Sequence, residues 1–236
     1  MDVDDDLERS ISGIAALDQP MRRSLYRLLA AANGSWTSRD EASDALDIAR
    51  PVAAFHLDRL VDAGVLETRF ERRTGRSGPG AGRPSKLYRP VDGELSASVP
   101  ARHYDLAASL LATAVVEATR TTRPVAQCVH DVAHAAGRRI GADAHARTGD
   151  ERHDDPGQVI VDILRDYGYE PEPDDDREIA LANCPFHRLA EQQRDLVCGM
   201  NLDFLSGIVD GLELGDALTA RLQPEPGVCC VRVSTC

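Results

Sequence analysis

The stretch IARPVAAFHLDRLVDAG, residues 48–64, decides how the first part of the chain folds. Pro51 suits the first turn of a helix, because the N–H that it lacks would have no partner there anyway. Apolar residues then recur at helical spacing and predict one buried face: Ala53, Leu57, Leu60 and Val61. Gly64 follows at a point where helices often end in a left-handed residue. We therefore expect a helix that ends at Gly64 and exposes its opposite face.

Two further helices are predicted before this one. Residues 14–31 read as the first helix, with Pro20 near its start or at a break within it. Residues 38–41, Ser-Arg-Asp-Glu, have the form of a capping box with acids in the first helical turn. A turn over residues 47–49 then separates this short helix from the next. The pattern predicts a helix-turn-helix.

A hairpin is predicted after the helix pair. Residues 65–70 have strand character, and a return strand is expected at residues 87–88. Between them, residues 72–86 are rich in glycine and arginine. This segment predicts a wing whose cations could reach phosphates or a minor groove: Arg76, Arg83 and Lys86.

The helix and the wing together carry a family resemblance. The run AAFHLDRL at 53–60, followed by Gly-Arg-Pro at 82–84 and by Tyr88, resembles winged-helix bacterial repressors of the ArsR-like and SufR-like kind. The resemblance covers residues 20–90 and implies a partner in double-stranded DNA. On this hypothesis the residues that contact bases are Arg50, Val52 and Phe55. His56 is a further candidate, but its angular position between the two faces favours the alternative of a packed histidine. Arg39 and Arg59 would instead bind phosphates.

The charged residues are distributed unevenly along the chain, as expected for two domains with different functions. The 236 residues suffice for two modest domains, and the formal net charge is −12. Residues 20–90 nevertheless hold 13 Lys and Arg against 8 Asp and Glu, a local charge of +5. This asymmetry is typical of a DNA-reading domain joined to an acidic partner domain.

Sequence features bearing on location predict a cytoplasmic protein. No run of about 18 apolar residues is present, so no membrane span is expected. The opening residues 1–6, Met-Asp-Val-Asp-Asp-Asp, are acidic, which is the reverse of the basic start of a signal peptide.

The central part of the chain predicts two helices. Residues 101–120 carry an apolar stripe with small residues, suited to close helix packing: Leu106, Ala107, Leu110, Leu111, Ala114, Val115 and Ala118. We expect this helix to form a homodimer interface, with a contact inside the chain as the alternative. The second helix, residues 124–147, places His130 and His134 on one face, at a spacing that can bind zinc. Hydrogen-bonded histidines are the alternative there.

Cysteines mark the C-terminal part. Five of the six fall in the last quarter: Cys184, Cys198, Cys229, Cys230 and Cys236. In a cytoplasmic chain clustered thiols favour a metal or redox centre over disulfides. Strands are predicted at 178–182, 217–222 and 229–233, with a long helix over 187–212.

The spacing of these cysteines carries a second resemblance. Asn-Cys-Pro-Phe at 183–186, Leu-Val-Cys at 196–198 and Gly-Val-Cys-Cys-Val at 227–231 are similar to the pattern of SufR-type iron–sulfur repressors. The resemblance implies that Cys184, Cys198 and Cys229 hold a cluster. The intervals of 13 and 30 residues are longer than we expect for those repressors, so zinc stays open as the alternative.

The fourth ligand position is left open by this pattern. Cys230, His187, Cys236, a carboxylate or a small molecule could fill it. On a strand, adjacent side chains point to opposite faces, so only one residue of the Cys229–Cys230 pair can easily join the site. Cys229 is preferred, because it shares its predicted face with Val231 and Val233.

These features predict an α+β chain in three parts. Residues 1–91 form a winged helix-turn-helix domain, 92–148 a linker with dimerisation helices, and 149–236 an α+β sensor domain containing the cysteines. We expect a repressor whose operator binding is controlled by an iron–sulfur cluster or metal. The alternative is a winged-helix regulator with an effector-binding domain or a structural zinc site. An enzyme is not expected, since Cys184 and His187 lack an evident orienting acid.

Overall fold

The chain divides into two compact units. A computed structural model describes residues 3–71, 84–148, 156–173, 178–225 and 227–235. The units are Met1–Ala97 and Ser98–Cys236. Among the described helices, none combines the length and the apolar character needed to cross a membrane.

The described residues of the first unit form four helices and three short strands. In chain order these are α1 (Val3–Ala16), α2 (Pro20–Ala30), β1 (Thr37–Ser38), α3 (Arg39–Leu46), α4 (Arg50–Asp62), β2 (Leu66–Glu71) and β3 (Ser85–Pro90). The strands form an antiparallel sheet in the order β1-β3-β2. The predicted hairpin is present, but residues 72–83 at its tip lie outside the described part of the chain.

Local sequence signals fix the helix boundaries of this unit. Of the two placements predicted for Pro20 in the 14–31 segment, the break is confirmed: α1 ends at Ala16, and Pro20 begins α2 at its first position. The capping box is confirmed: the Glu41 amide donates to Ser38 Oγ at 3.2 Å, and the Ser38 amide donates to Glu41 Oε2 at 2.8 Å. Asp47 then adopts a left-handed conformation with φ of 49° and ends α3. Gly64, with φ of +71°, follows α4 as predicted.

In the second unit, the part that the structure describes contains five helices and a second antiparallel sheet. Its elements are α5 (Tyr104–Thr121), α6 (Val125–Thr148), α7 (Pro156–Asp166), β4 (Pro171–Pro173), β5 (Glu178–Leu181), α8 (His187–Gln192), α9 (Arg194–Gly211), β6 (Leu218–Leu222) and β7 (Val231–Thr235). The strand order is β4-β5-β7-β6. The long helix predicted over 187–212 is interrupted at Gln193, whose φ of −138° and ψ of 61° are not helical.

The central helices belong to the same unit as the cysteines. The apolar stripe of α5 packs against the core that α6, α9 and the sheet share, except for Val115, which is 52% exposed. Its fully buried members include Ala107 and Ala114. The contact inside the chain therefore accounts for the stripe that the sequence assigned to a dimer interface. The boundary between units lies at Ala97 and Ser98, and the predicted region 92–148 has no core of its own.

Helices α6 and α9 pack with their backbones in direct contact. Each contributes two glycines four residues apart, Gly137 and Gly141 on α6 and Gly207 and Gly211 on α9. A Cβ atom on any of the four would overlap a backbone carbonyl oxygen of the opposite helix. Backbone atoms cannot move aside as a flexible side chain could. Only glycine therefore permits this helix–helix distance.

The Gly207→Ala substitution should destabilise the protein by about 3 kcal/mol, measured as the free energy of unfolding in urea. Helix propensity alone favours alanine over glycine by about 1 kcal/mol, so the sign of the change is informative. Gly215→Ala is the matched control, because its added Cβ meets no atom within 4 Å. Equal stability of the Gly207→Ala variant and the wild type would contradict the close contact.

Candidate functional site

The outer face of α4 is exposed, as its periodicity predicts. Ala53, Leu57 and Leu60 are completely buried in the core of the first unit. On the opposite face, 41% of Val52 and 56% of Phe55 are exposed. An exposed phenylalanine in the middle of a helix leaves a large apolar surface in contact with water. This surface is available to a ligand.

Arginines border this apolar surface at both ends of α4. Arg59 lies over the Phe55 ring, with its guanidinium carbon 5.6 Å from the ring centroid. At the other end, Arg50 forms an exposed ion pair with Asp40 of α3, and the hydrogen bond and charge of Asp40 raise the pKa of Arg50. The face therefore combines an apolar centre with cationic margins.

Asp58 ties α4 to the hairpin, which the sequence reasoning missed. Lys86 Nζ and the Tyr88 hydroxyl both donate to Asp58 Oδ1, at 2.7 and 2.9 Å. Burial by itself raises the pKa of Asp58, but the hydrogen bonds from Lys86 and Tyr88 outweigh it and the pKa lies below its ordinary value. Burial and the hydrogen bond to Asp58 raise the pKa of Tyr88, and the nearby charge of Arg39 opposes this rise while it helps to lower the pKa of Asp58. Lys86, which the sequence analysis assigned to a phosphate contact from the wing, therefore contacts Asp58 of α4.

Among the remaining predicted DNA contacts, His56 is half-buried. Burial lowers the pKa of His56, and the charge of Arg22 lowers it further, so the neutral ring is favoured. Its Nδ1 atom has no hydrogen-bond partner among the described residues. Arg76 and Arg83 lie outside the part of the chain that the structure describes.

Four cysteines converge in the second unit, and we call them the thiol group: Cys184, Cys198, Cys229 and Cys230. Cys184 lies in the loop between β5 and α8, Cys198 lies in α9, and the adjacent pair precedes β7. Hydrogen bonds join Cys184 to Cys229, Cys198 to Cys230, and Cys229 to Cys230. All four side chains are buried.

The position of Cys230 differs from the sequence-based expectation for this site. Strand alternation was expected to turn one residue of the Cys229–Cys230 pair away. Strand β7 begins only at Val231, so the pair lies in the irregular segment before it. Alternation does not apply there, and both thiols join the group. Cys236 lies outside the described residues.

Polar groups around the thiol group direct N–H donors toward the cysteine sulfur atoms. The backbone amides of Phe186 and Val231 hydrogen-bond to Cys184 and Cys229, and each of these bonds favours the thiolate form. Asn201 Nδ2 lies 3.2 Å from Cys229 Sγ, and the Tyr169 hydroxyl donates to Asn201 Oδ1 at 2.5 Å.

Asn201 and Tyr169 were not identified from the sequence. Both are completely or almost completely buried, and burying a polar side chain costs free energy unless it is hydrogen-bonded. An asparagine among the apolar residues of α9 was the available signal. Its position predicts a buried polar partner, but not which one.

Three thiols of this group, Cys184, Cys198 and Cys229, resist ionisation. The hydrogen bond with Cys229 and burial raise the pKa of Cys184, and burial raises that of Cys198. The hydrogen bond with Cys184 lowers the pKa of Cys229, but the hydrogen bond with Cys230 and burial outweigh it and raise the pKa to about 11. Several thiolates could therefore coexist here only with a cation to compensate their charge.

The cysteines of the thiol group can be compared with the ligands that a metal centre requires. In the described residues, no three His, Cys, Asp or Glu side chains are arranged to hold a metal ion. The chemistry of the thiol group nevertheless fits an iron–sulfur cluster, which is bound by soft thiolates and tuned by hydrogen bonds to sulfur. Convergent sulfurs and inward-pointing N–H groups are both present. A cluster would require the thiols to separate from their present hydrogen bonds.

The other candidate ligands have partners of their own. His130 Nδ1 contacts Asp203, and His134 Nε2 lies 2.9 Å from Asp210 Oδ2, so these two histidines of α6 face carboxylates of α9. Cys128 is buried in the α6 part of the core. His187 Nε2 lies 3.3 Å from Glu191 on the exposed side of α8.

Comparison with known proteins identifies the first unit. A family model described as "Helix-turn-helix domain" matches residues 17–69. The match spans α2, β1, α3 and α4 and most of β2. No curated protein and no solved structure matched the chain. The chain therefore carries a helix-turn-helix domain of the kind found in DNA-binding transcription regulators.

Proposed function

We propose that this chain is a transcriptional repressor that binds operator DNA as a homodimer and responds to an iron–sulfur cluster held by the thiol group. The DNA-binding part of the proposal extends the helix-turn-helix match. The observation that carries the regulatory part is the convergence of four buried thiols from three separate segments of the second unit.

The exposed face of α4 supports a role as the recognition helix. In helix-turn-helix proteins the second helix of the motif lies in the major groove. Here that helix is α4, and its outer face bears cations that DNA phosphates would attract. Arg59 is 59% exposed and only 4.0 Å from Asp62, so it could exchange a weak surface ion pair for a phosphate.

The Arg59→Ala substitution should weaken binding to any mixed-sequence DNA duplex and reduce the slope of log affinity against log salt by about 1. Removal of one phosphate contact releases one fewer counterion, whatever the base sequence. Fluorescence anisotropy over a range of salt concentrations measures both effects.

Arg120→Ala is the matched control for Arg59→Ala. Arg120 is also an exposed helical arginine paired with a carboxylate three residues away, but it lies in the second unit. Its removal should leave both quantities unchanged. An Arg59→Ala variant with an unaltered salt slope would contradict the assignment.

The thiol group supports a regulatory role through the position of its members. Cys184, Cys198 and the Cys229–Cys230 pair lie in a loop, in a helix and before a strand, so ligation by all of them ties these segments together. Asn201 and the two backbone amides would hold the sulfurs in their anionic form. A bound cluster would supply a redox-sensitive group that can be oxidised or lost. The ligand state would then bias the geometry of the paired recognition helices, and hence operator affinity.

Anaerobically purified protein, reconstituted with iron and sulfide, should be brown and contain both elements. Cys184→Ala, Cys198→Ala and Cys229→Ala should each lose the visible absorption and the iron. Cys128→Ala is the control, because this buried thiol lies outside the group. Cys230→Ala tests whether the fourth thiol is also a ligand.

Two outcomes would contradict the cluster. Colourless, iron-free wild-type protein after reconstitution would exclude it directly. Protein that retains only zinc, bound through the same cysteines, would favour the structural zinc site instead.

The proposed homodimer needs a surface other than the buried stripe of α5. The outer side of the same helix exposes 52% of Val115 and 66% of Val116, with exposed Ala112 beside them. Adjacent exposed valines are unusual on a helix whose other face is already buried. A dimer formed there would present two recognition helices to a palindromic operator.

Val116→Glu should convert the dimer to a monomer, since association would bury an unpaired charge. Size-exclusion chromatography with light scattering measures the mass. Val99→Glu is the control, because Val99 is 90% exposed and lies outside α5. A wild-type monomer, or a Val116→Glu variant that remains dimeric, would contradict this interface.

A further inference from the structure

The chemistry at the centre of the exposed α4 face is apolar rather than polar. The exposed residues of this helix are Arg50, Pro51, Val52, Phe55, Arg59 and Asp62. Arg50 precedes the apolar pair Val52 and Phe55, and Arg59 and Asp62 follow it, so the pair occupies the exposed face between the charged residues. Neither side chain can donate or accept a hydrogen bond. Whatever this face recognises must therefore offer an apolar group at its centre.

We propose that Val52 and Phe55 read the 5-methyl groups of thymines in the major groove. This inference rests on the proposed DNA binding and names the feature of DNA that α4 selects. In the major groove every base edge offers hydrogen-bonding groups, but only thymine adds a methyl group. Apolar side chains gain by covering that methyl and gain nothing from the polar edges of a G·C pair. The recognised half-site therefore contains thymines beneath the middle of the helix.

The spacing of the two residues sets the spacing of the thymines. Side chains three residues apart on a helix have Cβ atoms about 5–6 Å apart. Successive base pairs are separated by about 3.4 Å along each strand. Val52 and Phe55 therefore cover methyl groups one or two base steps apart.

Neighbouring side chains hold the Phe55 ring in place. The Arg59 guanidinium lies 5.6 Å above the ring centroid, and the His56 ring packs edge-on with its centroid 5.1 Å away. Arg59 can contact a phosphate while its planar group remains against the ring. The ring is consequently presented toward the groove rather than folded back onto the helix. This arrangement favours one defined contact over a nonspecific apolar one.

The test begins with selection of bound sequences from a random duplex pool by the full-length protein. Each thymine of the selected half-site is then replaced by uracil, which removes the methyl group and keeps every hydrogen bond of the base pair. We expect affinity to fall about fourfold for each contacted methyl, the equivalent of one buried methylene. Uracil outside the protected footprint is the matched DNA control and should have no effect.

Protein variants connect the methyl effect to the two side chains. Phe55→Ala should bind thymine and uracil duplexes equally at the position that Phe55 covers, and Val52→Ala should do so at the other. Both residues are exposed, so neither substitution disturbs the core. Val125→Ala, at an exposed valine of α6, should keep the full difference between thymine and uracil.

The outcomes separate this inference from the proposed function. Failure to bind any duplex at low salt contradicts the DNA-binding proposal itself. Binding that ignores uracil at every selected position overturns the methyl readout and leaves DNA binding intact. A Phe55→Ala variant that still distinguishes thymine from uracil at every contacted position overturns the role of Phe55.

Discussion

Burial of one face of α4 is the constraint on which its exposed surface, the proposed DNA-binding face, depends. Ala53, Leu57 and Leu60 are fixed in the core of the first unit, so the helical repeat leaves Val52 and Phe55 facing outward. Asp58 lies between these faces and is held by Lys86 and Tyr88 of strand β3. The helix is thereby prevented from rotating or sliding relative to the hairpin. A rigidly presented face is what specific recognition requires.

A different constraint organises the second unit. Because α6 and α9 touch through glycines, their backbones have one permitted separation, and α9 is fixed against a neighbour. Cys198 and Asn201 both lie on α9, so their positions are fixed with it. The thiol group is therefore assembled on one of the most closely packed helices of the unit. Small changes among its buried, hydrogen-bonded sulfurs would be transmitted to packed elements rather than absorbed by a loose loop.

Sequence reasoning succeeded where the determining interactions are local. The capping box at Ser38, the turn at Asp47, the helix end at Gly64 and the two faces of α4 depend on residues within a few positions of one another. It failed where a partner is distant along the chain. Periodicity identified the apolar stripe of α5 but not the residues that pack against it. The contacts of Asp58 with Lys86 and Tyr88 were missed, because these partners lie 28 and 30 residues away along the chain. The break at Gln193 and the inclusion of Cys230 likewise depend on where regular structure ends.

The most direct measurement compares operator affinity in two states of one anaerobic preparation, before and after the iron is removed by chelation. The account predicts that one state binds the selected operator at least about tenfold more tightly, a coupling of about 1.4 kcal/mol. Cys184→Ala should give the affinity of the iron-free state whatever its treatment. Equal affinities in the two states, with iron demonstrably present in the first, would contradict the proposal that the thiol group controls DNA binding.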